Sequence, residues 1–251
     1  MTFDLKNLTS KTENRPPRIV LYGPGGIGKS TFASSAVNPV FLDIEDGLDG
    51  IEVPRQRITS WQEAIDFLKA LFTQEHEFQT VVVDSLDWLE QLAFEQVCRE
   101  LNIRQIDEEN SFGRGYTKCV ELMSYFLTCL DRLREKKDMA VILLAHETIT
   151  RVESPLTSSY DRYSIKLNKK NASLVAEWSD AVLFATEKVF IQTEKGNFGK
   201  QSNKGIGGGR VIYTTGNPAY QAKHRANLAL PDEIPLSWDG FISSIGQRKG
   251  D

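Results

Sequence analysis

The sequence predicts an α/β fold, with a mostly parallel central sheet flanked by helices and closed by antiparallel strands near the C-terminus. Three observations predict it. Short apolar runs rich in β-branched residues, at 40–44, 81–83 and 139–145, show little in/out alternation, as strands buried on both faces do. Between them lie segments with apolar residues every three to four positions, the pattern of helices with one buried face. The first run, 19–22, ends in a glycine-rich loop followed by Lys-Ser and a helix-compatible stretch.

Taken in order, residues 1–17 are polar and carry neither an apolar core nor a cleavage signature, so they read as a flexible lead-in rather than a secretory signal. The loop Gly23-Pro24-Gly25-Gly26-Ile27-Gly28-Lys29-Ser30-Thr31 precedes a helix over about 29–36. Asn38-Pro39 turns the chain into strand 40–44, which ends in the acidic segment 45–50. Thr59 or Ser60 caps a helix with Trp61, Ala64, Ile65, Leu68, Leu71 and Phe72 on one face. Strand 79–85 closes on Asp84-Ser85, and Ser85 is placed to cap helix 86–101. A polar stretch, 102–116, leads to a helix over about 117–136, and strand 139–145 ends at His146-Glu147. Residues 148–171 read as a long, polar, basic loop, of a length that is functional or disordered in compact domains. A short helix over about 171–178 and strand 180–186 follow. Two more β-type runs, 188–193 and 210–215, flank a Gly/Lys-rich loop at 194–209, and a last short strand covers 219–225. No internal repeat and no second core are evident. The expected organisation is therefore a lead-in at 1–17, a domain over 18–240 and a tail at 241–251.

Composition sets bounds. The chain has 251 residues, 40% hydrophobic and 25% charged, which is ordinary for a globular protein, and no apolar run approaches a membrane span. Cys98, Cys119 and Cys129 lack metal-ligand spacing and suit free thiols in a reducing cytoplasm. The net charge of −4 hides an asymmetry. Residues 151–225 hold 12 Lys and Arg against six acids, whereas 1–150 hold 16 against 24, so positive charge gathers in one third of the chain.

The glycine-rich loop carries the chemistry. Its glycines let several N–H groups turn toward one anion, Lys29 offers an ammonium to the β/γ-phosphates, and the Ser30 hydroxyl is placed on Mg²⁺. These residues imply an ATP-type triphosphate bound with Mg²⁺. Asp84, ending a valine run, is the second metal-site candidate, usually acting through water. Hydrolysis also needs a group that orients or deprotonates water. Glu45 and His146 each follow a strand, at the sheet edge where open α/β folds place chemistry. A carboxylate suits the base, and His146 suits a γ-phosphate sensor.

This arrangement resembles the core of RecA and RadA recombinase ATPases. Phe41-Leu42-Asp43-Ile44-Glu45-Asp46-Gly47-Leu48-Asp49 matches the segment whose Glu is the catalytic base. Val82-Val83-Asp84-Ser85 matches the metal-site motif, and His146 stands where the sensor is normally Gln. The segment Lys223-His224-Arg225 resembles the short basic element that reaches a neighbour's γ-phosphate, with His in place of Asn. The resemblance implies a homo-oligomer, ring or filament, whose site is completed between subunits by Lys223 and Arg225. It covers about 18–230, without an evident polymerisation arm or large C-terminal domain. In size, in Phe112-Gly113-Arg114-Gly115-Tyr116-Thr117-Lys118 and in 222–231, the chain is similar to phage-encoded ATP-binding proteins of single-strand annealing and recombination. That similarity implies a host-cytoplasmic DNA-dependent ATPase binding single-stranded DNA beside a single-strand-binding protein.

Two loops bind single strands in that family. The first matching stretch is 102–118, with Arg104, Arg114, Tyr116 and Lys118. The second is 148–171, with Arg151, Tyr160, Arg162, Tyr163, Lys166, Lys169 and Lys170. Cations interleaved with aromatics suit phosphate neutralisation and base stacking, and the loop at 195–210 is a further candidate. A nucleotide-gated loading module with little turnover and a helicase-like motor share this core. The motor is disfavoured because no collar domain precedes residue 18, and a small-molecule kinase because no lid is evident.

Overall fold

The computed structural model describes residues 15–108, 113–195 and 201–245, the side chains of 190–206 excepted. Of the expected lead-in only 15–17, and of the expected tail only 241–245, lie within that range.

Five parallel strands form the centre: β1 (Arg18–Tyr22), β2 (Pro39–Asp43), β4 (Thr80–Asp84), β5 (Ala140–Ala145) and the first part of β8 (Ala181–Lys195). They lie in the order β8-β1-β5-β4-β2, with the short exposed β3 (Arg55–Arg57) parallel outside β2. The mostly parallel α/β core expected from the sequence is the one observed. On the far side, β9 (Gln201–Tyr213) pairs antiparallel with β8, and β11 (Glu233–Pro235) with β9. A two-residue strand, β10 (Lys223–His224), also lies antiparallel on β8.

Burial on both faces explains the unbroken apolar strand sequences. Val20, Leu42, Val81, Val83, Val141 and Leu143 point into one core. That core is covered by α2 (Trp61–Thr73), α3 (Leu86–Leu101), α4 (Arg114–Lys137) and α5 (Lys169–Trp178). Their alternate neighbours Ile19, Leu21, Phe41, Val82, Ile142 and Leu144 point into the other, covered by α1 (Lys29–Ser34) and α6 (Trp238–Ser244). Helix α2 starts on a capping box: Ser60 Oγ accepts from the Glu63 N–H, and the Glu63 carboxylate accepts from the Thr59 N–H.

The structure departs from the sequence reading in four places. Residues 148–171 are not a loop. β6 (Glu147–Val152) and β7 (Tyr160–Ile165) form an antiparallel hairpin, and α5 begins at Lys169. The β-branched positions Thr148, Ile149, Thr150 and Val152 carried that signal, but the hairpin packs little apolar surface and its polarity masked it. Helix α4 begins at Arg114 rather than near 117, because Gly113, at φ 74°, supplies the left-handed N-cap. Gly115 also brings the helix against the Ile106 carbonyl, closer than a Cβ would permit. The expected loop at 194–209 is largely strand: β8 runs on to Lys195 and β9 returns from Gln201. Of the last expected strand, 219–225, only Lys223 and His224 form a strand, while Tyr220 makes isolated bridges to Tyr163 and Asn217.

At the N-terminal edge of the parallel strands, Asp180 gathers charge. Its carboxylate accepts from the Arg18 N–H at 2.9 Å and from the Arg18 guanidinium at 2.9 and 3.3 Å. It also pairs with Arg134 at 3.4 Å and Arg225 at 3.1 Å. Burial opposes ionisation of Asp180, but these donors outweigh it and hold the carboxyl below the usual range. Removing the carboxylate strands several cations in a half-dry site, so Asp180→Ala is expected to cost about 3–5 kcal/mol. Urea denaturation checks this, and a loss under about 1 kcal/mol would place the pairs with the weak surface class.

Candidate functional site

Strand register assembles the site. Tyr22 at the end of β1 pairs beside Ala145 of β5 and Phe184 of β8, while Asp84 of β4 pairs beside Leu144 and Asp43. The residues that follow each strand therefore emerge at one edge. The Gly23 N–H donates to the Ala145 carbonyl at 3.3 Å, tying the glycine-rich loop to the strand that leads to His146. The Ile44 and Glu45 N–H groups both donate to the Asp84 carbonyl, at 2.8 and 3.2 Å, which sets Glu45 beside Asp84. Gly23 itself is required by close approach, since a Cβ there would collide with the Ala185 carbonyl oxygen.

These loops enclose a cavity of about 280 Å³ lined by Gly25, Gly26, Gly28, Lys29, Ser30, Thr31, Glu45, Gly47, Ile51, Asp84, His146 and Arg210. Gly23, Pro24 and Ile27 complete the loop behind it. Lys29 Nζ donates to the Gly23 and Pro24 carbonyls, each at 2.9 Å. Burial pushes its ammonium pKa down. The Ser30 hydroxyl donates to Asp84 Oδ2 at 2.7 Å, and burial pushes the Asp84 carboxyl up to about 6 against that hydrogen bond. A hydroxyl and a carboxylate oxygen side by side on the cavity floor are hard donors of the kind Mg²⁺ takes. Such sites draw the remaining ligands from phosphate and water. The residues fit that ion, and no group of three His, Cys, Asp or Glu suited to a metal occurs among the described residues.

The sequence reading missed Asp87. Its carboxylate accepts from His146 Nδ1 at 3.0 Å and from the His146 N–H at 3.2 Å, and Ser85 Oγ donates to it at 2.9 Å. Ser85 does occupy the N-cap position, but its hydroxyl serves Asp87 and caps no helical N–H. With Nδ1 held, Nε2 of His146 faces Glu45 Oε1 at 3.6 Å. The hydrogen bond that His146 donates to Asp87 raises the His146 pKa. Burial opposes ionisation of Asp87, but the His146 contacts override it and draw the carboxyl down to about 2. In sequence, Asp87 looks like an ordinary acid in the first turn of a helix. Arg210, also missed as a cavity residue, carries no local signal after a run of glycines.

The remaining candidates lie apart from this cavity. Lys223 and His224 pair with Val182 and Ala181 at the start of β8, the opposite end from the glycine-rich loop, and Arg225 is held by Asp180. Tyr116 lies on α4 edge-on to Phe94, with ring centroids 6.0 Å apart, and Lys118 pairs with Glu100 at 2.7 Å. Arg114 opens the same helix. On the hairpin, Arg151 is exposed, while Tyr160 and Arg162 are half-buried. Tyr163 stacks on Phe184 at 5.3 Å, so one ring face is taken. Lys166 reaches Asp87 at 3.7 Å, and Lys169 and Lys170 are exposed in the first turn of α5.

A parallel sheet whose first strand feeds this loop, with an acid ending β4 and a polar residue following the strand between, defines an α/β P-loop ATPase. The chain belongs to the AAA domain family, whose model matches residues 15–226. It is similar to the SPbeta prophage-derived uncharacterized protein YorG of Bacillus subtilis (strain 168), at 29% identity over 101 residues. That match covers 38% of this chain and 31% of the relative, so the chain spans about a third of its length. A crystal structure of the RadB recombinase aligns over 90% of both chains at 15% identity and a TM-score of 0.49. Among the described residues no helix is long and apolar enough to cross a membrane.

The Asp87–His146 pair is open to titration. With its folded pKa raised above 6.5 by Asp87, His146 contributes stability that is full below the unfolded value and is lost as pH rises through the folded one. In an NMR titration Asp87→Asn is expected to lower the His146 pKa; an unchanged value would separate the imidazole from Asp87.

Proposed function

We propose that this chain is a Mg²⁺-dependent ATPase whose turnover is coupled to binding of single-stranded DNA, and that it promotes annealing or strand pairing in homologous recombination. One observation carries the coupling. His146 faces Glu45 with one ring nitrogen, and the strand that follows it is the first of the basic hairpin. The Lys166 N–H, just after β7, donates back to the His146 carbonyl at 2.9 Å, and the Lys166 ammonium lies on Asp87. A shift of the imidazole on loss of the γ-phosphate would thus pull both ends of the hairpin.

In this reading Gly23–Thr31 cradle the phosphates, Lys29 neutralises them, Ser30 and Asp84 hold the metal, Glu45 activates water and His146 senses the terminal phosphate. A bound Mg²⁺ held by Ser30 and Asp84 would supply neutralisation of the charge that develops on the phosphates. Arg151, Tyr160, Arg162, Lys166, Lys169 and Lys170 offer cations and rings to a strand, together with exposed Ile149 and Leu156 at the hairpin. Arg114, Tyr116 and Lys118 are a secondary contact region. Because Lys223 and Arg225 lie at the far end of β8 from their own phosphate loop, a phosphate they serve belongs to a neighbouring subunit, in a ring or filament. One ATPase domain over 18–240, a phage origin and cooperation with a single-strand-binding protein complete the reading.

Steady-state ATPase assays with and without single-stranded DNA test it. Glu45→Gln is expected to lower kcat by about 10²–10⁴, and His146→Ala to bring the ratio of stimulated to basal rate to one. Stimulation surviving in His146→Ala would sink the coupling. Absence of turnover in the wild type, with or without DNA, would favour a nucleotide-gated loading module instead.

Shared sites predict complementation. Subunits carrying Lys29→Ala and subunits carrying Lys223→Ala are each expected to be inactive, and mixing them to restore part of the rate. No recovery on mixing, with both variants assembling, would place Lys223 outside the site.

A further inference from the structure

The cavity that holds the phosphate loop has a neighbour. A second cavity, of about 180 Å³, is lined by Ile27, Phe32, Ser35, Leu236, Trp238 and Asp239, and shares Gly28, Thr31 and Arg210 with the first. Arg210 belongs to β9, an antiparallel strand far along the chain from the loop, yet its Nη1 lies 3.4 Å from where a Cβ of Gly28 would stand. Leu236 follows Arg210 in space because its N–H donates to the Arg210 carbonyl at 3.2 Å, which fixes strand β9 along the wall of both cavities. The guanidinium has no ion-pair partner among the described residues. Its cross-strand neighbour Glu187 turns its carboxylate against Gly207 instead.

We propose that Arg210 is a nucleotide-binding residue supplied by the same subunit, gripping the phosphate chain where the two cavities meet, with the nucleoside lodged in the second. The inference rests on the triphosphate reading of the glycine-rich loop. In the first cavity Glu45, His146, Asp84 and Ser30 stand together at one side, which assigns the terminal phosphate and its metal there. The chain of phosphates then leaves past Gly28 and Thr31, beneath Arg210. An unpaired guanidinium at that point meets phosphate oxygens with charge-assisted, bidentate geometry. Beyond it, the apolar faces of Ile27, Leu236 and Trp238 suit a planar base, and Ser35 and Asp239 offer a hydroxyl and a carboxylate to ribose or to the base edge. The C-terminal strands thereby become part of the nucleotide site rather than a cap on the fold.

Equilibrium binding of Mg²⁺ with ATPγS and with ADP tests the assignment, with melting curves to verify that each variant folds. Arg210→Ala is expected to weaken both nucleotides by about tenfold or more, and Arg210→Lys to recover only part, since an ammonium cannot bridge two oxygens. Ser35→Trp, at an exposed position, fills the second cavity; it is expected to abolish ATPγS binding while inorganic tripolyphosphate still binds as in the wild type. Wild-type affinity in Arg210→Ala would overturn the role of Arg210, and unimpaired ATPγS binding in Ser35→Trp would overturn the nucleoside position. Failure of the wild type to bind either nucleotide would instead overturn the triphosphate reading itself.

Discussion

The in-register parallel pairing of β1, β5, β4 and β2 is the constraint on which the rest depends. Parallel strands need crossover connections, and each crossover here returns the chain to the same starting edge. Four strand ends therefore face one way, and the residues just beyond them have no choice but to meet. The site is a consequence of strand direction before it is a consequence of any side chain. Burial of both sheet faces enforces the register, because a one-residue slip would exchange Val81 and Val83 with Val82 between two differently shaped cores.

Polar pairs then set orientation within that frame. Asp87 is the main example, since it holds one nitrogen of His146 so that the other faces Glu45, and it is itself held by Ser85 and approached by Lys166. A ring free to turn about its χ angles would face Glu45 only part of the time. Asp180 does comparable work at the other edge, where Arg18, Arg134 and Arg225 converge on one carboxylate. That cluster fixes the start of β8 and the strand carrying Lys223, so the two ends of the sheet are organised by separate charge clusters.

Between the edges, an aromatic column joins the hairpin to the sheet. Tyr22 packs on Phe184 at 5.0 Å, Phe184 on Tyr163 and on Tyr220 at 5.3 Å, and Tyr220 on Tyr213 at 4.5 Å. The Tyr22 hydroxyl donates to the Gln221 carbonyl at 2.6 Å, which pins the same region from below. The last residue before the phosphate loop thus touches the base of the hairpin through packed rings and the Tyr22 hydroxyl.

The sequence by itself determined the parallel core and the phosphate loop. Both are written in local patterns: non-alternating β-branched runs, helical periodicity, and glycines with Lys29 and Ser30 at fixed spacing. The positions of Asp84, Glu45 and His146 at strand ends were legible for the same reason, since strand direction follows from the order of elements. Tertiary structure decided what depends on contacts between distant segments. Asp87 became the partner of His146 only when α3 and β5 were adjacent, and Arg210 reached Gly28 only when β9 was laid beside β8. The hairpin at 147–165 was hidden because its strands gain order from cross-strand hydrogen bonds and from anchoring on Asp87, Glu90 and Phe184, not from an apolar face of its own. Local propensity sees neighbours a few residues away. The partners that define this site are 59 residues apart in one case and about 180 in the other, and only the folded chain brings them within reach.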